Sequence, residues 1–402
     1  MSRRDEPAAA HAESSATTAS LGRLLPPELL PFFDAAFVGS HVLYGEFVYR
    51  LALQVVRETG LEGAMREEGS AREIALRAEL EAGRALVPLD GMLRLLAARG
   101  ALEELPDEAG ARYRSRGSLP ALDPAPVREE QRRREPSWMP AYVLAETVAR
   151  DYPAFLRGEV TGEEVLFSPR RLRLWIDYFS NDNGLYAVNN RVGAVAVEQW
   201  LPRPGGVILE LGGGLGSGAL ALLERLEAAG RLGAVAEYRF TEVVPAFLRR
   251  GEQALQARFP AASGLTFGAL DMNRSFAGQG VAPGSVSVVY AVNTLHVAHD
   301  LDFTLGEVIQ ALEPGGRLVV SECVRCRQPS YAEFVFSLTE AFRSARLNPL
   351  YRPAGGFLTP GQWQAAFEAA GLVDVRFLPD IARIHEHVPD FGVAAIGATR
   401  PA

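Results

Sequence analysis

The chain has 402 residues, a net charge of −8 and 48% hydrophobic residues. That is too much chain for one compact core, so two or three domains are expected, and the acidic balance argues against a general nucleic-acid binder. All 41 basic residues are arginine. Without lysine there is no P-loop lysine for phosphates and no Schiff-base lysine for a pyridoxal cofactor, and arginine, always protonated, replaces neither. Two cysteines cannot build a disulfide framework, which makes a cytoplasmic location the default expectation. No run reaches the ~18 apolar residues of a membrane span.

Residues 1–20 read as a disordered tail, small and polar, without the apolar segment of a secretory signal. Over 21–120, "SHVLYGEFVYRLALQVVRETG", "SAREIALRAEL" and "VPLDGMLRLLAARG" carry apolar residues at helical spacing. "ALEELPDEAGARYRSR" then reads as two short strands around a polar turn. Helices followed by a hairpin predict a winged-helix-like domain. Its recognition helix carries little positive charge, so a dimerisation or lid role is expected ahead of DNA binding. Residues 121–200 read as a helical linker and lid, with charged "PAPVREEQRRREPSW" leading into helices over about 141–157 and 168–200. From 201 to 402 strands alternate with helices: "VILEL", "EYRFTEV", "LTFGALD", "VSVVYAVN", "GRLVVSECV", "VDVRFLP" and "GVAAIGATR". This predicts an α/β fold with a parallel, doubly wound, Rossmann-like sheet.

The first of those strands runs into "ELGGGLGSG", and a helix follows. Bare backbone at a strand-to-helix turn lets a ligand lie against the main chain and the helix N-terminus. Gly214-x-Gly216-x-x-Ala219 would pass for a dinucleotide fingerprint. Glu210, two residues before Gly212, points instead to S-adenosylmethionine, whose ammonium group needs a carboxylate and whose own carboxylate suits the N–H groups of the loop. Glu242 ends the second strand, where it can accept from two ribose hydroxyls. Asp271 and Met272 end the third, the one facing an adenine amino group and the other offering a backbone N–H and an apolar contact.

These segments, with "VVYAVNTLHVAHDLDFTL", "LEPGGRLVVSEC" and, upstream, "FLRGEVTGEEVLF", resemble the S-adenosylmethionine-dependent C-methyltransferase domains of polyketide synthases over roughly Asp151 to Cys323. The resemblance implies the class I methyltransferase fold, with Glu210, Gly212, Gly214, Glu242, Asp271 and Met272 as cofactor contacts. Two departures stand out. Gly213-Gly214-Leu215 replaces a more usual alanine–glycine–threonine run, and Glu242 replaces a usual aspartate.

Methyl transfer is an in-line displacement, so the protein must align the acceptor and remove its proton. His296, after the fourth strand, is the candidate general base, and Glu322, at the end of the fifth, would hold the ring's other N–H. In the resembling family this pair is the catalytic dyad. Asn293 is expected to orient cofactor or substrate. Tyr186, Asn189 and Asn190 are placed at the acceptor pocket, and Arg325, Arg327 and Arg352 as receivers of a carboxylate or phosphate or as solvated surface residues. His299 reads as a helix-face residue. His385 and His387 read as structural residues on one side of a strand, and Cys323 and Cys326 as thiols; no metal is expected.

The reading is a free-standing methyltransferase of specialised metabolism that methylates an acidic carbon next to a carbonyl, in a β-ketoacyl or related oxo compound. The substrate arrives free or on a carrier protein, and no nucleic acid or membrane is expected as partner. Small-molecule O-methylation is the alternative, although Val297-Ala298 stand where those enzymes usually have Asp-Trp. A non-catalytic binding relative is the third.

Overall fold

The computed structural model describes residues 6–106, 110–202, 205–326 and 330–402. The chain divides into two compact units. One comprises Asp34–Tyr178 and Cys326–Arg343 with the N-terminal residues through Thr18; the other comprises Ala19–Phe33, Phe179–Arg325 and Ser344–Ala402. Of the tail expected over 1–20, residues 1–5 lie outside the described residues, and from residue 6 the chain is helical over Glu6–Leu24. Its run of alanines has the highest intrinsic helix propensity and needs no periodic apolar face to signal it. No helix among the described residues is long and apolar enough to cross a membrane.

The first unit is mostly helical. Ala35–Glu58 opens on an Asp34 cap and buries Phe47, Val48, Leu51 and Val55. Met139–Leu156 buries Tyr142, Val148 and Tyr152, and the Phe47 and Tyr142 rings meet at 4.4 Å. Between these helices lie strands β1 (Gly69–Ser70), β2 (Glu103–Leu105) and β3 (Arg112–Arg114), an antiparallel sheet in the order β1-β3-β2. The β2–β3 hairpin is where the sequence predicts it. β1, two residues long, is too short to carry any periodicity.

The second unit is built on a seven-stranded sheet: β4 (Gly206–Leu211), β5 (Val235–Thr241), β6 (Leu265–Gly268), β7 (Val286–Val292), β8 (Leu312–Cys323), β9 (Val373–Leu378) and β10 (Val393–Thr399). Their order is β6-β5-β4-β7-β8-β10-β9. β4 to β8 pair in parallel. β10 runs antiparallel between β8 and β9, so the sheet is not wholly parallel. The link from β9 to β10 holds the short helix Ile381–His385. His385 therefore ends a helix, with its Nε2 2.9 Å from the Phe391 carbonyl, and the strand expected to carry His385 and His387 does not form there.

Two features position the site. The chain goes outward from β4 to β5 and β6, then returns to lay β7 on the other side of β4. The crevice at such a reversal, beyond the carboxyl ends of the strands, is where ligands bind in these sheets. β7 is buried at every residue, as expected for a parallel strand covered on both faces. One cover is the helix Gly184–Trp200, which buries Val188, Val192 and Val195. It belongs to this unit, whereas the sequence grouped it with the linker and lid. A Cβ at its Gly193 would lie 2.6 Å from the Tyr290 hydroxyl oxygen of β7, so only glycine permits this approach.

Leu209, fully buried in β4, tests this core. Leu209→Ala should destabilise the second unit by about 2–5 kcal/mol, read from the urea midpoint. Val373→Ala, at an edge-strand position 43% exposed, should move that midpoint by less than about 0.5 kcal/mol.

Candidate active site

The glycine loop leaves β4 just after Glu210 and enters the helix Ser217–Ala228. Its bareness has separable causes. A Cβ on Gly213 would lie 2.2 Å from the Phe240 ring, so the loop packs where no side chain fits. Gly214 adopts a φ of +58°, a conformation glycine takes without cost, and nothing stands within 4 Å of where its Cβ would point. Gly212 also has a positive φ, +60°, and accepts from the Thr294 hydroxyl at 3.3 Å.

Three buried glutamates surround this loop, each in a different state of satisfaction. Glu242, just past β5 and 6% exposed, accepts from Gly214 N–H at 2.9 Å and from Val244 N–H at 2.7 Å. Burial raises its pKa and these backbone bonds lower it in part. The Gly214 N–H, expected to face the cofactor's carboxylate, is thus engaged by Glu242. Glu210 is 1% exposed, and its Oε2 has no hydrogen-bond partner among the described residues. Burial pushes its carboxyl up from the ordinary 4.5 to about 8; the Tyr238 hydroxyl opposes the rise and the Glu242 charge adds to it.

Glu322, at the end of β8, is fully buried. Its Oε1 accepts from Thr294 N–H at 3.1 Å and Leu295 N–H at 2.9 Å, and its Oε2 lies 2.8 Å from His296 Nδ1. His296 sits in the single turn Leu295–Val297, with the Phe357 ring 4.6 Å away. Arg352 reaches the same turn. Its guanidinium, 1% exposed, donates to the main-chain carbonyls of His296 and Ala298, both at 2.6 Å. Arg352 is therefore not a receiver of a carboxylate or phosphate, nor a solvated surface residue; it braces the backbone of the candidate base. The sequence held no signal for this, because the partners are carbonyls rather than side chains.

Asn293 follows β7 with a φ of +49°, uncommon outside glycine. Its Oδ1 accepts from Asn189 Nδ2 at 2.6 Å and from Cys323 N–H at 3.0 Å. It thus ties the ends of β7 and β8 to the helix Gly184–Trp200. Asn189 also gives its Nδ2 to Cys323 Sγ at 3.5 Å. Tyr186 stacks edge-on against Phe179 at 5.1 Å; burial, with the charges of Glu210 and Glu242, raises its hydroxyl pKa. Asn190 gives its Nδ2 to Asn181.

The remaining candidates lie further out. Asp271 caps its own turn, accepting from Asn273 N–H at 2.9 Å, while its main-chain N–H donates to Gln279. The Met272 carbonyl accepts from Thr304 at 3.0 Å. Both are half-buried past β6. His299 is exposed and its N–H donates to Asn273. Arg325 donates to the Gly355 carbonyl at 2.9 Å. Arg327 lies outside the described residues. Neither cysteine forms a disulfide among the described residues.

The residues fit S-adenosylmethionine. A buried carboxylate with an unmatched oxygen suits an ammonium group, and the open face at Gly214 admits a ligand against the main chain. Glu210 carries a sign that can be measured. Its raised pKa means that the cofactor-free folded state holds a proton the unfolded chain releases. Its contribution to stability is full below about 4.5 and is lost as pH rises through about 8. An ammonium docking there expels that proton. At pH 7 the calorimetric enthalpy of S-adenosylhomocysteine binding should therefore vary with the buffer's ionisation enthalpy, and Glu210→Gln should abolish that variation. A wild-type enthalpy independent of buffer would take the ammonium away from Glu210.

Comparison with known proteins bears on the fold and the family. Residues 209–318 match the family model described as a methyltransferase domain. The chain is 34% identical over 196 residues to Highly reducing polyketide synthase 2 of Gibberella zeae, covering 47% of this chain and 7% of that one. It is 31% identical over 250 residues to Polyketide synthase ThaG of Burkholderia thailandensis, covering 59% and 4%. The chain thus spans less than a tenth of the length of these relatives. The solved structure of CurJ carbon methyltransferase superposes with a TM-score of 0.76 at 21% identity, over 97% of this chain and 99% of that one. The trans-methyltransferase CalH, solved with S-adenosylhomocysteine, gives 0.60 at 20% identity, over 89% and 90%. Residues 209–318 thus match a methyltransferase domain, in a chain that shares its fold with the CurJ carbon methyltransferase and is similar in sequence to polyketide synthases.

Proposed function

We propose that the protein methylates an acidic carbon next to a carbonyl, in a β-ketoacyl or related oxo compound of polyketide type. The observation that carries this reading is the contact between His296 Nδ1 and Glu322 Oε2, 2.8 Å apart at the ends of adjacent parallel strands. Thr294, two residues before the histidine, touches Gly212 of the cofactor loop, so base and methyl donor would share one crevice. Glu322 holds the ring by Nδ1–H, which leaves the lone pair on Nε2. Nε2 removes the proton from the acceptor carbon, and the buried carboxylate stabilises the imidazolium that forms. S-adenosylmethionine supplies an electrophilic methyl group; the enolate carbon bonds to it as the carbon–sulfur bond breaks.

The relatives are polyketide synthases, which supports an acyl substrate, free or carried on a phosphopantetheine arm. The first unit, helical and carrying the hairpin, is assigned a dimerisation or lid role.

His296→Ala should keep S-adenosylhomocysteine binding and lose about 10²–10⁴-fold in rate. Glu322→Gln should be nearly as damaging. Two backbone N–H groups hold the Oε1 position, so the amide oxygen stays there and the amide NH₂ faces Nδ1. The ring must then accept at Nδ1 and carry its proton on Nε2, the wrong tautomer for a base. A Glu322→Gln variant of near wild-type rate would remove this role. The acceptor atom is tested by solvent deuterium exchange at the substrate carbon with S-adenosylhomocysteine bound. Wild type should catalyse the exchange and His296→Ala should not; no exchange together with an oxygen-methylated product would overturn carbon methylation.

A further inference from the structure

Asn190 is fully buried, yet its Oδ1 has no hydrogen-bond partner among the described residues. An unmatched amide oxygen at such depth is costly unless something meets it. The direction of that oxygen is set by a relay. Asn181 gives its Nδ2 to the Ser217 carbonyl at 2.9 Å, which turns its Oδ1 to receive Asn190 Nδ2 at 2.8 Å. With its NH₂ committed, Asn190 has only one face left for its oxygen. That face looks toward Gly218, in the first turn of the helix after the glycine loop. A Cβ built on Gly218 would lie 3.8 Å from Asn190 Oδ1 and 2.9 Å from Glu210 Oε1. Glycine therefore keeps clear a spot bordered by two buried acceptors and by the Val292 side chain, whose Cγ2 would lie 3.3 Å from that Cβ. The other glutamate oxygen, Oε2, is also unmatched.

We infer that Asn190 and Glu210 together seat the ammonium group of the cofactor. An alkylammonium has three N–H donors and no acceptor, and a single carboxylate in a buried site leaves at least one unmet. A neutral amide oxygen beside the carboxylate accepts that proton without adding a second negative charge. The sequence grouped Asn190 with the acceptor pocket; the relay through Asn181 turns it to the methyl donor instead. Its role is recognition of the amino group, and the inference rests on the cofactor reading above.

The experiment compares two ligands by calorimetry: S-adenosylhomocysteine and its deamino analogue, which keeps the carboxylate and lacks the amine. Wild type should prefer S-adenosylhomocysteine. Asn190→Leu, close in size, should weaken S-adenosylhomocysteine about 10- to 100-fold, the loss of one charge-assisted hydrogen bond, and change the deamino analogue less than about twofold. Asn181→Ala, which removes the relay without touching the ligand, should lower the same preference while thermal melting shows the fold retained. Equal losses for both ligands in Asn190→Leu, or no loss for either, would overturn the inference and leave the cofactor reading standing. Failure of wild type to bind S-adenosylhomocysteine would overturn both.

Discussion

Parallel pairing of β4 with β7, and of β7 with β8, is the constraint on which the site depends. It sets Glu210 beside Tyr290 and ends both strands at one edge of the sheet. It also brings the turn that carries His296 onto Glu322, which lies 26 residues further along the chain. Parallel strands cannot be joined by tight turns, so the residues at their carboxyl ends come from loops far apart in sequence. A shift in any one register would separate His296 from Glu322 or Glu210 from the glycine loop.

The three buried glutamates show how the fold divides its polar groups. Glu322 has three donors on its carboxylate and serves to hold a turn and a ring. Glu242 has two backbone donors and pins the glycine loop to the end of β5. Glu210 keeps an oxygen with no hydrogen-bond partner among the described residues, and its pKa is raised by burial despite the nearby Tyr238 hydroxyl. A buried carboxylate left unsatisfied is a liability for folding, and such groups persist where a ligand completes them. The degree of satisfaction therefore separates Glu322 and Glu242, which hold the fold together, from Glu210, for which the proposed role is to meet a cation.

The absence of lysine gives arginine work that a point charge would do less well. Arg352 forks across two carbonyls of the turn that carries His296. A planar guanidinium meets both at once, whereas one ammonium holds a less defined geometry. Burial lowers its pKa, yet a guanidinium remains protonated in proteins, so the brace persists over the working pH range.

Much of this was legible in the residues alone. The glycine run after Glu210, the carboxylates that end successive strands, the histidine after the fourth strand and the β2–β3 hairpin are local patterns. Each is written within a few neighbouring residues, and the chemistry of donors and acceptors limits what they can bind. The antiparallel direction of β10 and the helix at His385 answer to no local pattern of the residues. The engagement of the Gly214 N–H by Glu242, the brace from Arg352 and the turning of Asn190 by Asn181 were decided by contacts between distant segments. Sequence spacing carries the period of a strand or helix, but it does not carry the direction of a side-chain dipole. That direction is set only when every buried donor finds its acceptor in three dimensions.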